Sequence, residues 1–210
     1  FIQKQAKSTY ILGGMTIAAS ASLFLLFLVL LFLNKSVRLF QLTTLLTLFV
    51  VLSTTGVFFE KVVDLSYATQ KIVFLITNAI FLPIMTVLTL LITEWVLTRR
   101  VSWITYSLMF SIPFASAAGH LFNISLPFGL LQGVMVFYFG YLVIRSSRSM
   151  KSVEWAVVIA MIILTVGGVI SVFLHKYYRV ESAEYELPIK AAVLLSSPLL
   201  LLVYVSLSYK

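Results

Sequence analysis

The stretch Ile72–Leu97 reads IVFLITNAIFLPIMTVLTLLITEWVL, and Glu94, near its end, is its one ionisable residue. A helix needs about 20 mostly apolar residues to cross a hydrocarbon core roughly 30 Å thick. This run exceeds that length. Six more apolar runs lie on either side of it: Tyr10–Leu33, Phe40–Phe59, Trp103–Phe122, Leu126–Ile144, Trp155–Leu174 and Leu187–Tyr209. Together they predict an all-α, polytopic membrane protein, a seven-transmembrane-helix bundle forming a single domain over residues 1–210.

Composition supports the same solvent. Hydrophobic residues make up 61% of the chain and charged residues 10%, with mean hydropathy +1.08. A soluble domain carries about 25% charged residues. Spanning strands are disfavoured, because barrel strands alternate in polarity over about ten residues and these runs are continuous. Segment one is expected to stay in the mature protein. Its apolar run is longer than the roughly 7–15 residues of a signal peptide, and no small-residue cleavage pattern follows it.

The net charge is +8 and the chain has no cysteine. Disulfides, thiolate metal sites and cysteine nucleophiles are therefore excluded. The basic residues flank the apolar runs, so anionic lipid headgroups are the expected partner rather than nucleic acid. The loops after spans one, three and five, with the C-terminus, hold Lys35, Arg38, Arg99, Arg100, Arg145, Arg148, Lys151 and Lys210 against Glu94 and Glu154. The opposite side holds Lys4, Lys7, Lys61, Lys71, Lys176, Arg179 and Lys190 among five acids: Glu60, Asp64, Glu181, Glu184 and Glu186. The raw counts nearly balance. The first set, however, lies in short loops at span ends, where the positive-inside bias acts. The expectation is a plasma-membrane protein with its N-terminus outside and its C-terminus cytoplasmic. Trp95, Trp103 and Trp155 then form an inner aromatic belt, and Tyr67, Tyr177, Tyr178 and Tyr185 an outer one.

Small residues recur every fourth position: Gly14, Ala18 and Ser22 in span one, Ser107, Ser111, Ala115 and Gly119 in span four, and Gly167 and Ser171 in span six. Gly129 and Gly133 in span five form a GxxxG, with Gly140 seven residues on. Such spacing sets small groups on one face, where helix backbones approach closely. The expectation is packing within the bundle, with homo-oligomerisation through span five as the alternative. Pro83, Pro113 and Pro198 lie inside spans and kink helices or provide hinges.

Chemistry-bearing residues are few. No charge lies at mid-span, which argues against pumps, ion-coupled carriers and voltage sensors. A retinal site is disfavoured, since Lys190 lies near a span end with no acid at its depth. His120 and His175 are the only histidines. Two haems would need four, so a dihaem cytochrome is excluded, and a metal held by these two is a weak alternative. No hydrolase triad, HExxH, P-loop or GxGxxG pattern occurs. No enzyme activity and no cofactor are expected. The mid-span amides Asn78 and Gln132, beside Pro83 and Pro113, are the candidate ligand-binding residues of a largely apolar pocket. Interhelical hydrogen bonding is the plainer role for them and for Thr43, Thr44, Thr54 and Thr55.

Three segments carry a resemblance: KIVFLITNAIFLPIMTVLTLLITE (71–94), SWITYSLMFSIPFASAAGHLF (102–122) and YFGYLVIRSSRS (138–149). Two have mid-helix prolines, and the third runs into a basic loop. In pattern, across most of the chain, this resembles the N-terminal seven-helix sensor region of bacterial and archaeal receptor histidine kinases and related receptors. The resemblance implies a sensor passing a signal to a cytoplasmic output domain or partner. The main rival is a non-catalytic membrane subunit of a larger complex, which short loops and small-residue faces also suit. A transporter or channel half is disfavoured by the lack of intramembrane charge and of an internal repeat.

Overall fold

A computed structural model describes the backbone of residues 2–35, 37–62, 66–122, 126–178 and 183–208; within these, the side chains of 2–9, 61–62, 126–128, 168–178 and 183–190 are not described. The order is α1 (Ile2–Leu33), α2 (Arg38–Val62), α3 (Tyr67–Phe74), a π-helical segment (Leu75–Phe81), α4 (Leu82–Thr98), α5 (Trp103–Phe122), α6 (Leu126–Ser146), a 3-10 turn (Ser152–Glu154), α7 (Trp155–Tyr178) and α8 (Ala183–Ser208), with no strand among the described residues. Since α3, the π segment and α4 are continuous, the described residues form seven helical rods.

Five stretches among the described residues are long and apolar enough to cross a membrane: Tyr10–Leu33, Arg38–Glu60, Tyr67–Thr98, Gly129–Ser146 and Ala191–Ser208. Those suit a multi-pass membrane protein in contact with a lipid bilayer. Helix α5 falls outside this set, because Thr105, Ser107, Ser111, Ser116 and His120 dilute its apolar content. The described part of α7 forms a shorter apolar helix, Ser152–Gly167.

The continuous third rod is the centre. In its most apolar window 56% of residues are buried, against 22% for α1. Helix α4 is closed on two faces. Met85, Leu88, Ile92 and Val96 pack with Phe27 of α1, Leu46 and Val50 of α2, Val157 of α7 and Leu201 of α8. Val87 and Leu90 pack with Leu108 and Ile112 of α5, Met135 and Phe139 of α6, and Met161 of α7. A helix that is apolar all round belongs inside, and the α4 sequence has that character. The outward faces carry large apolar groups, Phe110, Phe114, Phe137 and Ile144 among them, as lipid-facing positions do.

The turns follow from local chemistry. Asn34 closes α1, its backbone N–H and side-chain amide both donating to the Leu30 carbonyl at 3.0 and 3.2 Å. Ser66 caps α3, accepting from the Thr69 N–H at 3.3 Å. Pro83 sits just after the π-helical segment, at the start of α4. A proline ring crowds the carbonyl four residues back and lacks an N–H. The one-residue-wider π turn lies where that crowding falls.

The small-residue seams differ from the expected ones. A Cβ added at Gly14, Gly129, Gly133 or Gly140 meets nothing within 4 Å. The intramolecular contact expected at Gly129, Gly133 and Gly140 is therefore not made, since that face of α6 turns away from the other helices. On α1 the buried row is Gly13, Thr16 and Ser20, while Gly14, Ala18 and Ser22 are exposed. On α5 it is Leu108, Ile112 and Ser116, while Ser107 is exposed and Ser111, Ala115 and Gly119 are half-buried. On α5 the row is shifted by one position, about 100° around a helix, and on α1 by one to two. Close approaches occur instead at Gly13 against Phe58, Gly56 against Thr77, and Gly167 against Val193. Only Gly167 was on an expected seam; its companion Ser171 lies outside the described side chains.

Of the threonines expected to join helices, Thr44 and Thr54 do, while Thr43 bonds carbonyls of its own helix. The Ser20 and Thr54 hydroxyls meet at 3.0 Å between α1 and α2, and Thr44 Oγ1 donates to the Phe27 carbonyl at 3.1 Å. Such bonds are worth about 0.6 kcal/mol each in membrane helices.

Gly56→Ala is expected to lower stability, because the new methyl group meets the branched Thr77 side chain and overpacking costs about 1–3 kcal/mol. Gly133→Leu is expected to leave the stability of the isolated chain unchanged. Thermal unfolding of both variants in detergent checks the pair.

Candidate functional site: a buried carboxylate at the basic end

Glu94 lies one turn before the end of α4, and its side chain is 3% exposed. Burying an ionised carboxylate is costly unless donors replace water. Here three do. Tyr138 OH donates to Oε1 at 2.5 Å, the Ser102 N–H donates to Oε1 at 3.0 Å, and Thr105 Oγ1 donates to Oε2 at 2.5 Å. The Ser102 hydroxyl lies 2.6 Å from Tyr138 OH. Tyr138 has one proton and gives it to Glu94, so Ser102 is the donor of that pair. Ser102 Oγ in turn accepts from the Thr105 N–H at 3.4 Å.

Each partner is placed by backbone. Arg99, at φ 57° and ψ 12°, ends α4 in the left-handed region and donates its N–H to the Trp95 carbonyl at 3.0 Å. That conformation costs a non-glycine residue about 1–2 kcal/mol. In return, a four-residue turn, Arg99–Ser102, brings the start of α5 back over Glu94. The carboxylate thus sits at the N-terminal end of α5, where free N–H groups and the helix dipole favour negative charge. Thr98 braces the turn, donating to the Glu94 carbonyl at 2.8 Å and approaching the Arg100 carbonyl at 2.7 Å. Tyr138 arrives from the inner side of α6, one residue from buried Phe139.

Beside this node lies a cavity of about 570 Å³ bordered by Glu94, Arg100, Tyr138, Tyr141, Arg145 and Ser149. That is within the range of small-molecule sites, about 300–1,000 Å³. Tyr138 and Tyr141 stack, with centroids 6.3 Å apart and planes 27° from parallel. Arg145 Nη1 donates to Tyr141 OH at 3.1 Å. Arg99 lies over the Trp95 ring, 5.3 Å from its centroid. The carboxylate clamps three elements together, and the arginines give its surroundings a positive rim.

The expected ligand residues are elsewhere. Asn78 is in the π segment, and its amide donates to the Phe74 carbonyl of its own helix at 3.0 Å. Pro83 is buried, while Pro113 and Gln132 are half-buried. None of the four lines this cavity. His120 is exposed at the far end of α5, its ring edge-on to Phe74 at 5.8 Å. The side chain of His175 lies outside the described residues. Among the described residues no group of three or more His, Cys, Asp or Glu could hold a metal ion.

Sequence reasoning noticed Glu94 only as a span-end residue and missed Ser102, Thr105 and Tyr138. One signal was present. Glu94 lies in an apolar run with no Lys or Arg three or four residues away on either side. A carboxylate so placed has to find donors on other helices. Which ones is a tertiary matter.

No protein-family model, curated protein or solved structure matches the chain. The functional reading therefore rests on the fold and this site.

Glu94→Gln and Tyr138→Phe are each expected to destabilise the chain by about 1–3 kcal/mol, through donors left unsatisfied or a charged hydrogen bond removed. The double variant is expected to lose less than the sum, because both act on one network. A double-mutant cycle on thermal unfolding checks this, and strict additivity would show that the two side chains do not interact.

Proposed function

We propose that this chain is a seven-span, sensor-type membrane module that passes conformational change to a cytoplasmic output domain or partner, with the basic end inside. In this reading α5 and α7 also cross the bilayer. The observation that carries it is the central rod Tyr67–Thr98. It packs against helices on both sides, has a π segment and Pro83 partway along, and ends in the Glu94 clamp at the basic end. π turns are local register defects that frequently mark functional positions. A stimulus shifts such a bundle only by its differential affinity for two packings. A rod with a register defect partway along and a clamp to α5 and α6 at its end is suited to turning a packing change into displacement of the basic loops.

The orientation follows from the positive-inside bias of Lys35, Arg38, Arg99, Arg100, Arg145, Arg148 and Lys151. The second reading is a non-catalytic subunit of a membrane complex, which the open Gly129–Gly133 face favours, since a Cβ added there meets nothing within 4 Å among the described residues. Gly133→Leu separates the two. Loss of an oligomer or of a co-purifying membrane subunit would favour the subunit reading.

Two measurements test the sensor reading. With Ala68→Cys and Ser147→Cys, a membrane-impermeant thiol reagent applied to intact cells is expected to label position 68 and not 147; the reverse would overturn the orientation. Spin labels at Lys35 and Ser147 are expected to report two distance populations across the basic end. Replacing Pro83 and Pro113 with Ala should merge them while leaving expression intact. A single narrow population in the unmodified chain, or ion flux through purified chain in vesicles, would overturn the sensor reading.

A further inference from the structure

We propose that the cavity beside Glu94 binds a phosphate-bearing anion, with Arg100 and Arg145 as its two cationic arms. The inference goes beyond the sensor reading and does not depend on it. It requires only that the basic end lies at a membrane–water interface.

The floor of the cavity is already settled. Glu94 accepts from Tyr138, Ser102 and Thr105, so its carboxylate is committed to the protein. The rim is not. Arg100 comes from the α4–α5 turn and Arg145 from the last turn of α6, and both border the same cavity. Neither guanidinium forms an ion pair with a carboxylate among the described residues. Arginines at helix C-termini often bind the last carbonyls, but here that role is not taken up. Arg145 donates to Tyr141 OH at 3.1 Å and lies 5.9 Å from that ring's centroid, an arrangement that steadies the side chain and leaves further N–H groups free. Arg100 makes its hydrogen bonds with Thr98 through its backbone.

A guanidinium presents five donors in a planar fork that suits phosphate oxygens. Two arginines bordering a cavity of about 570 Å³ suit a phosphate with a small organic substituent. The exposed Trp103 and Trp155 rings lie at the same end of the bundle, the depth at which interfacial aromatics meet headgroups. The phosphate can therefore belong to an anionic lipid headgroup or to a soluble phosphate ester.

The experiment uses the purified full chain in a neutral detergent, where no charged bilayer surface contributes. Phosphatidylglycerol, phosphatidylcholine and glycerol 1-phosphate are titrated separately, with tryptophan fluorescence and the melting temperature as readouts. Phosphatidylglycerol is expected to raise the melting temperature more than phosphatidylcholine does. The R100Q/R145Q double variant is expected to bind about thirtyfold more weakly, because both cationic arms are removed. K35Q/R38Q removes equal charge from the same end, away from the cavity, and is expected to bind as the unmodified chain does. S149E, which keeps both arginines and sets a carboxylate at the mouth, is expected to weaken binding. It decides the matter if R100Q/R145Q fails to fold.

A response to phosphatidylglycerol alone assigns the site to a lipid headgroup. A response to glycerol 1-phosphate as well assigns it to the phosphate itself, whatever carries it. Equal losses in the two basic-pair variants, unchanged binding in S149E, or no response to either phosphate would overturn the proposal. Because the readout is binding rather than conformational exchange, its failure is distinguishable from failure of the sensor reading.

Discussion

Helix α4 is enclosed on both faces, so every polar group it carries has to be satisfied inside the protein. Most manage this locally. Thr86, Thr89 and Thr93 each return a hydrogen bond to the carbonyl four residues earlier, at 2.9, 2.9 and 2.7 Å. Glu94 has only acceptors and cannot do the same. Its charge must draw donors from neighbouring elements, and that need organises the basic end. The strained turn at Arg99, the position of Ser102 at the start of α5, and the inward Tyr138 of α6 all serve one carboxylate.

The same constraint explains the uneven character of the bundle. Where α4 meets α2, in a cluster that also takes in α1, α7 and α8, the packing is of large side chains, and the hydroxyls of Ser20 and Thr54 join α1 to α2. Where it meets α5 and α6, the seam ends in a charged network. A buried charge held by three donors is costly to disturb from one side alone. The α4–α5–α6 corner is therefore the part of the bundle with the most specific geometry. The cavity beside it is bordered by arginines, tyrosines and serines together with Leu97, Val101 and Leu142.

Partway along the central rod the π segment meets α2 through Gly56 against Thr77 and through Phe49 against Phe81, with ring centroids 5.7 Å apart. Here close approach replaces charge as the source of specificity. The middle and the basic end of one rod are thus held by different physics.

The helical class was legible from run length alone, because an apolar stretch such as 72–97 leaves its backbone no partner but itself in lipid. The breaks between helices were legible too, from where the apolar runs end. Span length was less secure for α5, where hydroxyls that face inward look in sequence like a loss of hydropathy. What the chain alone could not specify was rotation. Spacing of four says that Gly129 and Gly133 share a face, and that Ser107 and Ser111 do, but not which way the face points. The buried rows on α1 and α5 lie one or two residues away from the repeats of small residues picked out by spacing, and on α1 the buried Gly13 packs against Phe58. The site depended on the same unknown. Glu94 was visible as a carboxylate in apolar sequence, but Thr105 and Tyr138 are 11 and 44 residues away. Only the crossing of α4, α5 and α6 brings their hydroxyls to its two oxygens.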